Sequence, residues 1–432
     1  MLSASYPGLN VEGGDPTLLV PRDAGQLVEH PYARAHHVNG LYPSGFSFTM
    51  PVCALYQPQV RPGNGLYVAV EDPTGCRKDL SMHFFQSGQG CIDFHYPAEN
   101  MYRPANAFEV PGSLVWQVFD GDWYDAAQLY RAFVQAHAQW LPACGARGRE
   151  DSPAWMREVP LYIMDWMPND NPDADPVPIS IRPAQEPARD DWYQKPIKLA
   201  KALKMPFGYH LYNWHWIPFN NDFPHYFPVK EGLQAGVDAM HQYGIYVMPY
   251  VNGRLWDTHD ARGEDAHFTR EALAHTSKSR DGQPDLEIYA SHEPDGAPVE
   301  LAAMCPQSAL WRKTLADIAR ELFETYQMDA IYIDQVAAAP VNLCCDPTHD
   351  HLPGGGDWWV KAYRLLMERL RLEKPAHCGF TTECNAEVYA DGFDGFLTWV
   401  WIRSDMVPLF PTVYAGHIAM LGRNTNGYKK AD

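Results

Sequence analysis

From about Trp155 onward, short apolar runs alternate with segments whose apolar residues recur at helical spacing. This alternation indicates a parallel sheet, because parallel strands need a long crossover, usually a helix, between them. No glycine-rich phosphate loop follows the first predicted strand, so the pattern favours a (β/α)8 TIM barrel over an open doubly wound sheet. Six strands are predicted, at Leu161–Asp165, Phe207–Tyr212, Ile245–Tyr250, Ala330–Ile333, Gly379–Thr382 and Gly395–Trp399.

The predicted barrel is incomplete along the chain. A seventh strand is predicted within Thr412–Leu421, and no eighth unit follows before Asp432. We therefore expect a natural chain that has been cut short at one or both ends, with the truncation of the barrel at its C-terminal end. Helices are predicted at Trp192–Leu203, Glu231–Tyr243, Gln307–Tyr326 and Trp358–Leu372.

The first 150 residues have a different pattern, in which strand-like runs are broken by proline and glycine. No helix-period segment intervenes, which indicates a β-sandwich. A helix with Asp122 as its N-cap is predicted to close this region, and a polar linker follows it. We predict two domains, a β-sandwich at 1–150 and the incomplete barrel at 151–432. The sandwich strands are predicted at Gly65–Glu71, Leu80–Phe85, Cys91–Tyr96 and Leu114–Phe119.

The charge and composition of the chain indicate which binding partners and which cellular compartment to expect. The formal net charge of −19 repels nucleic acid and anionic membranes, and no apolar run approaches the ~18–20 residues of a membrane span. The first residues lack the basic and apolar parts of a signal peptide, and the nine scattered cysteines favour free thiols in a reducing compartment. We expect a cytoplasmic protein that binds neither nucleic acid nor membrane. Its oligomeric state cannot be read from the sequence.

Two carboxylates stand at the ends of predicted neighbouring strands. Asp334 ends the run Met328–Gln335, and Glu383 ends the next strand, one strand–helix unit later. A lone aspartate at a strand end is more often structural. Adjacent parallel strands are ~4.8 Å apart, however, and a retaining glycosidase needs two carboxyl groups ~5–5.5 Å apart. The pair therefore predicts a nucleophile at Asp334 and a general acid/base at Glu383. Glu387, in the following loop, ranks second for the proton-donor role.

Aromatic and neutral polar residues are predicted to surround this pair. The chain holds 14 Trp and 24 Tyr, whose rings can stack on sugars but can equally fill cores. Singly, each of these strand-end residues is as well explained by packing or loop hydrogen bonds; together they predict a carbohydrate-binding rim. The candidate substrate-binding residues are Asp165, Trp166, Asn213, Trp214, His215, Tyr250, Asn252, Gln335, His349, His351, Trp399 and Arg403.

The loop at Cys344–Gly356 combines cysteine, histidine and three consecutive glycines. Cysteine with histidine suggests zinc, but Cys344 and Cys345 are adjacent and His349 is only two residues from His351, which is poor spacing for a zinc finger. We therefore predict no metal and no cofactor. A flexible loop that covers the substrate is the favoured interpretation.

Four segments resemble a known family. The four segments are Tyr332–Gln335, the loop at Cys344–Gly356 (the histidine loop), Thr381–Glu387 and Asp394–Trp399. They look like segments of the uncharacterised glycosidase-like proteins of domain of unknown function 6259. That group is similar in layout to glycoside hydrolase families 101 and 129, and more distantly to the α-galactosidase clan. The resemblance implies a retaining mechanism on an α-linked galactoside or N-acetylgalactosaminide, with Asp334 as nucleophile and Glu383 as acid/base.

Two other classes of function stay open at this stage. A catalytically silent carbohydrate-binding barrel would keep the aromatic rim and use the carboxylates structurally. A metal-dependent barrel hydrolase would instead use His349, His351 and nearby acids. The first is the main alternative to a glycoside hydrolase.

Overall fold

The computed structural model describes residues 2–7, 14–57, 59, 64–146, 148–168, 190–259, 267–293, 295–398 and 403–422. Its N-terminal region is rich in antiparallel strands, as the sequence predicts. Strands β1, β8, β7 and β4 pair in that order in one sheet, and β3, β2, β5, β6 and β9 form a second. The strands are β1 Leu2–Pro7, β2 Thr17–Val20, β3 Gln26–Glu29, β4 His37–Tyr42, β5 Val52–Tyr56, β6 Gly65–Glu71, β7 Lys78–Phe84, β8 Gly90–Tyr96 and β9 Ser113–Phe119.

The residue pattern explains why these segments are strands. In β7, buried Leu80, Met82 and Phe84 alternate with partly exposed residues, which is the period-2 pattern of a sheet with one buried face. Helix α1, Trp123–His137, begins at the predicted N-cap: the Asp122 side chain accepts from the Tyr124 amide at 2.8 Å. A short hairpin of β10 Cys144–Gly145 and β11 Gly148–Arg149 follows. A domain boundary at residue 150 stays a prediction.

The rest of the chain builds a curled parallel sheet of seven strands in chain order: β12, β13, β14, β18, β19, β20 and β21. Among the described residues no pairing joins β12 to β21. A seventh strand is confirmed, whereas a complete (β/α)8 barrel is not. The elements are α2 Ala154–Glu158, β12 Tyr162–Trp166, α3 Gln194–Leu203, β13 Phe207–Tyr212, α4 Leu233–His241, β14 Ile245–Asn252, β15 Leu255–Asp257, β16 Leu286–His292, β17 Pro298–Ala303, α5 Ala309–Arg320, β18 Ala330–Asp334, α6 Trp358–Glu373, β19 Gly379–Glu383, β20 Gly395–Leu397, α7 Leu409–Tyr414 and β21 Ala419–Met420.

An insertion lies between β14 and α5, where the sequence analysis predicts no strand or helix before Gln307. Strands β15, β17 and β16 form a small antiparallel sheet in that order, and single turns of π and 3-10 helix occupy Phe268–Ala272 and Leu273–His275. A turn of π-helix at Glu321–Thr325 also extends α5. None of the described helices has both the length and the hydropathy that a membrane span requires.

The N-terminal region packs against the loops at the C-terminal edge of the parallel sheet. The amides of Gly45 and Phe46 donate to the carbonyl oxygens of Ala337 and Ala338, at 2.9 and 3.1 Å. A Cβ added at Gly45 would lie 2.1 Å from the Cβ of Cys384, so only glycine allows this close approach. The N-terminal region therefore borders the residues that follow β18 and β19.

Candidate active site

The two predicted catalytic carboxylates end neighbouring strands. On β18 and β19 the paired residues run to Ile333 opposite Thr382, and the next residues along the two strands are Asp334 and Glu383. Asp334 also lies opposite Asn252 on β14. Glu383 is buried and Asp334 is partly exposed. The strand register therefore sets the two backbone positions side by side at the edge of the sheet.

Two buried tyrosines lie near these carboxylates. The Tyr250 hydroxyl on β14 donates a 3.0 Å hydrogen bond to Oδ2 of Asp334. Burial, and then the nearby carboxylates of Asp334 and Glu383, raise the pKa of the Tyr332 hydroxyl well above its ordinary value. Both acids therefore lie within electrostatic range of one buried phenol. A buried tyrosine that stays protonated donates to an adjacent carboxylate and favours its anionic form.

A row of aromatic rings leads to Asp334 along the strand ends. Trp166 on β12 stacks on Tyr212 of β13 at 5.0 Å and 20°, and Tyr212 stacks on Tyr250 at 4.9 Å and 25°. Phe219 meets the row edge-on at Trp166. The sequence analysis predicts Trp166 and Tyr250 but misses Tyr212, whose only signal is its place as the last residue of an apolar strand.

The backbone beyond three strands adopts a conformation that non-glycine residues rarely take. Asn213, Gln335 and Cys384 follow β13, β18 and β19 directly, with φ of 60°, 68° and 56°. Such left-handed residues are uncommon outside glycine and concentrate at functional sites, where the surroundings hold them in place. Three of them on one edge of the sheet mark it as a constrained region. Asn213 also donates through Nδ2 to the Met167 carbonyl oxygen.

Trp214 and His215 are buried in packing. The Trp214 Nε1 donates to the Tyr250 carbonyl oxygen at 2.9 Å. His215 Nδ1 lies 2.8 Å from the Ile217 carbonyl oxygen, and burial lowers the pKa of this histidine to about 3, so it is neutral at physiological pH. Both residues support the strand end that carries Tyr250, and their predicted contact with substrate stays a prediction.

Asn252 and Gln335 organise turns beside the carboxylates. The Asn252 Oδ1 accepts from the amides of Arg254 and Leu255, both at 2.9 Å, which shapes the chain after β14. The Gln335 Nε2 donates to the hydroxyl of Tyr289, in the inserted sheet, at 2.6 Å. The insertion thereby reaches the residue next to Asp334.

The structure places Asp165 among partners on the helix side of its strand. Its Oδ2 lies 2.7 Å from Nζ of Lys195 on α3. The pKa of Tyr209 is raised by burial and then by the Asp165 carboxylate, to which its hydroxyl donates. These contacts hold the carboxylate towards α3. The predicted contact of Asp165 with substrate stays a prediction.

Arg403 also has a local partner. Its guanidinium pairs with Asp405 at 3.1 Å, and Asp405 in turn accepts from Gln26 Nε2 at 2.7 Å. Asp405 therefore links Arg403 to Gln26 of β3, and the predicted contact of Arg403 with substrate stays a prediction. Trp399 lies outside the described residues, and its predicted role in substrate binding stays a prediction.

The two histidines of the histidine loop lie close to two cysteine sulfurs. His349 and His351 lie with Cys344 and Cys305 in one group whose ligand-type atoms are all within 4.8 Å of one another. We call these four residues the Cys/His cluster. The sequence analysis misses Cys305, which is 39 residues before Cys344 and joins the cluster only because the insertion folds back.

Glu387, the rival acid, is buried elsewhere. Tyr42, Tyr130 and Tyr414 all donate hydroxyl hydrogen bonds to its carboxyl group, the first two at 2.8 and 2.7 Å. Burial raises the pKa of Glu387 to about 7, and the three tyrosine hydrogen bonds oppose that rise. Its partners come from β4, α1 and α7, so this carboxyl group joins the N-terminal region to the last part of the sheet.

The fold is that of an α/β protein whose curled parallel sheet carries acids at the ends of two neighbouring strands. The chain belongs to the family described as domain of unknown function DUF6259, whose model matches residues 108–425. The predicted family is confirmed.

Curated relatives carry glycosidase names. The chain is 30% identical over 359 residues to a "Putative glycoside hydrolase" of Bacteroides thetaiotaomicron, covering 82% of this chain and 48% of that protein. It is 27% identical over 425 residues to "Putative glycoside hydrolase 22789" of Monosiga brevicollis, covering 93% of this chain and 34% of that protein. The chain thus spans between a third and a half of the length of these two relatives.

Solved structures share the fold. The α-N-acetylgalactosaminidase NagBb of Bifidobacterium bifidum, in complex with GalNAc, matches with a TM-score of 0.67 at 14% identity, over 93% of this chain and 64% of that one. The cycloalternan-degrading enzyme of Trueperella pyogenes matches with a TM-score of 0.51 at 12% identity, over 96% of this chain and 52% of that one.

Proposed function

We propose that this chain is the catalytic region of a retaining glycoside hydrolase that acts on an α-linked galactoside or N-acetylgalactosaminide. The observation that carries the proposal is the register of β18 and β19, which ends with Asp334 beside Glu383. Strands ~4.8 Å apart set carboxyl groups at the separation of ~5–5.5 Å that double displacement uses. The glycosidase names of the relatives support the reaction class. The proposed identity of the substrate sugar is based on the fold that the chain shares with NagBb.

In the proposed mechanism Asp334 attacks the anomeric carbon while the bond to the leaving oxygen breaks, which gives a covalent glycosyl-enzyme. Glu383 donates its proton to the leaving oxygen, then takes a proton from the water that hydrolyses the intermediate. The roles fit the surroundings, because Asp334 accepts a hydrogen bond from Tyr250 and is partly exposed, whereas Glu383 is buried. The hydrogen bond from Tyr250 favours the anionic form of Asp334, which is the form that a nucleophile needs.

The substrate ring is proposed to stack on Trp166, the partly exposed end of the row, because Tyr212 and Tyr250 are buried against each other. Flat aromatic faces bind the apolar face of a sugar ring, and their polar tips hydrogen-bond to its hydroxyl groups. The row ends at the carboxylate of Asp334. The row thus connects the proposed stacking residue, Trp166, to the proposed nucleophile.

A mechanism-based covalent inactivator tests the nucleophile directly. An activated 2-fluoro sugar of the galacto series should label Asp334 with a stoichiometry of one, as peptide mass spectrometry will show. The Asp334→Ala variant should bind the sugar but lose turnover and labelling. Labelling at another residue, or full turnover in Asp334→Ala, contradicts the assignment. Sugar binding without labelling or turnover in the wild type indicates the silent carbohydrate-binding protein instead.

The acid/base is tested with two leaving groups. Glu383→Gln should lose far more activity on a poor leaving group than on an activated nitrophenyl glycoside, since the latter departs without a proton. Glu387→Gln is the matched control, because it makes the same change four residues away in a carboxyl group surrounded by tyrosines. Equal losses of Glu383→Gln on both substrates, or the leaving-group effect in Glu387→Gln, point to another acid.

A further inference from the structure

We propose that the Cys/His cluster, formed by Cys305, Cys344, His349 and His351, binds one zinc ion as a structural site. Two thiols and two imidazoles are a common ligand set for structural zinc. The four ligand-type atoms lie within 4.8 Å of one another. Tetrahedral zinc sets such atoms about 3.3–3.8 Å apart, since its bonds are about 2.3 Å to sulfur and 2.0–2.1 Å to nitrogen. A contraction of about 1 Å therefore closes the site.

Both histidines are oriented as zinc ligands are. The Nε2 of His349 lies 3.1 Å from the Ala274 carbonyl oxygen, and its Nδ1 lies 3.4 Å from the sulfur of Cys344. The Nδ1 of His351 lies 2.9 Å from the Leu352 carbonyl oxygen. Each ring can thus donate one N–H to a backbone carbonyl and keep the other nitrogen bare for a metal, which is the usual second-shell arrangement of metal-binding histidines.

The bare nitrogen of His351 strengthens this assignment. Its Nε2 is buried and makes no well-aligned hydrogen bond to the described part of the chain. The ring is held in place by stacking on Trp358 at 3.6 Å and 6°. A buried imidazole nitrogen without such a bond loses free energy relative to water, and a metal ion recovers it. The fixed ring brings that nitrogen to the cluster without further loss of side-chain freedom.

The sulfur atoms are placed to bind as thiolates. Cys305 and Cys344 are buried, and neither forms a disulfide. The amide of Lys278 donates to the Cys344 sulfur at 3.5 Å, and the Lys278 ammonium pairs with Asp346 at 2.6 Å. A backbone N–H donor favours the negative charge of a thiolate. Soft sulfur ligands select zinc over calcium or magnesium, which prefer oxygen.

A zinc ion here would use all four coordination positions on protein atoms. Such closed sites are structural, whereas catalytic zinc keeps one position open for water. The inference therefore differs from the metal-dependent hydrolase considered above, and it does not depend on the proposed glycosidase reaction. His349 and His351 would then stabilise the loop as zinc ligands, in place of the substrate contact that the sequence predicts.

The position of the cluster shows what the ion would stabilise. Cys305 lies between β17 and α5, and its amide donates to the His275 carbonyl oxygen at 3.0 Å. Cys344 begins the loop that returns to the N-terminal region, where the Gly355 amide donates to the Ala98 carbonyl oxygen at 2.9 Å. One ion would therefore join the insertion to the loop after the Asp334 strand, and that loop in turn contacts the N-terminal region.

Metal content tests the site. The protein is expressed with zinc in the medium, purified without a chelator or a histidine tag, and measured by plasma mass spectrometry; one zinc per chain is expected. Cys305→Ser and His351→Gln should lose that zinc. Cys345→Ser is the matched control, because Cys345 is adjacent to Cys344 but its thiol donates to the Leu343 carbonyl oxygen, and this variant should keep the zinc. Removing zinc from the wild type with a chelator should lower the melting temperature, and adding zinc back should restore it.

A second measurement keeps the test decisive where a variant fails to fold. Cobalt(II) added to the metal-free wild type should give the intense near-ultraviolet absorption of a thiolate–cobalt bond. Absence of zinc and of this absorption would overturn the proposal. A protein mass two hydrogens lower, with Cys305 linked to Cys344 in the peptide map, would also overturn it in favour of a disulfide.

Discussion

The buried carboxyl group of Glu387 should make the stability of the protein fall as the pH rises through neutrality. Burial raises its pKa from the ordinary 4.5 to about 7 in the folded protein. In the unfolded chain the group is in water and ionises near 4.5. Between these two values the folded state holds a proton that the unfolded state has released, so the free energy of unfolding decreases as the pH increases.

The size of the effect follows from the two pKa values. Each pH unit between them is worth about 1.4 kcal/mol, so the wild type should lose about 3 kcal/mol between pH 4.5 and 7 through this group alone. Outside that window the contribution is constant. Glu387→Gln has no proton to release, and its amide can still accept hydrogen bonds from Tyr42 and Tyr130, so its stability should lack this component.

Urea unfolding measured in steps from pH 4.5 to 8 at constant ionic strength tests the reasoning. The difference in unfolding free energy, wild type minus Glu387→Gln, should fall by about 3 kcal/mol as the pH rises, because the subtraction cancels every other titrating group. Glu158→Gln makes the same change at an exposed residue of α2 and is the control. A flat difference for Glu387→Gln refutes the raised pKa, and a difference that grows with pH reverses its sign.

Three further substitutions test the site and its supports. Tyr250→Phe removes the hydrogen bond to Asp334 and should lower kcat about 10- to 100-fold, since a hydrogen bond to a charged group is worth about 1.5–3 kcal/mol; an unchanged kcat contradicts the role of this hydroxyl. Gly45→Ala places a Cβ 2.1 Å from that of Cys384 and should cost about 1–3 kcal/mol of stability, seen as a lower melting temperature; an unaltered melting curve would show that the close approach is absent. Asp165→Asn should leave kcat/KM nearly unchanged, and a large loss would return Asp165 to the substrate-binding residues.

The strands that carry the site can be predicted because their signals are local. Phe207–Tyr212 is predicted to the residue, since a mostly apolar and aromatic run is bounded by Pro206 and by Asn213, which takes a left-handed conformation. The positions of Asp334 and Glu383 are predicted in the same way, because each is the last residue of a recognisable strand. Strand order in a parallel sheet then brings their backbones together without further information.

The parts that the sequence leaves open depend on contacts between distant segments. From the sequence alone, Glu387 is a second candidate for the catalytic acid. Only the structure shows that Tyr42 and Tyr130, more than 250 residues earlier, donate hydrogen bonds to it. Cys344 reads as a poor metal ligand until the inserted sheet returns Cys305 to it. Asp165 ends a strand as Asp334 does, but Lys195 on the neighbouring helix pairs with it. Local periodicity carries no information about such pairings.

The contact of the N-terminal region with the sheet edge sets where the chain can be divided for expression. A fragment that starts at residue 108, where the family match begins, lacks the backbone donors of Gly45 and Phe46 for the Ala337 and Ala338 carbonyl oxygens, and it lacks Tyr42, which donates to Glu387. Such a fragment would expose hydrogen-bonding groups beside the proposed nucleophile strand. Recombinant versions of this protein should therefore begin upstream of β4.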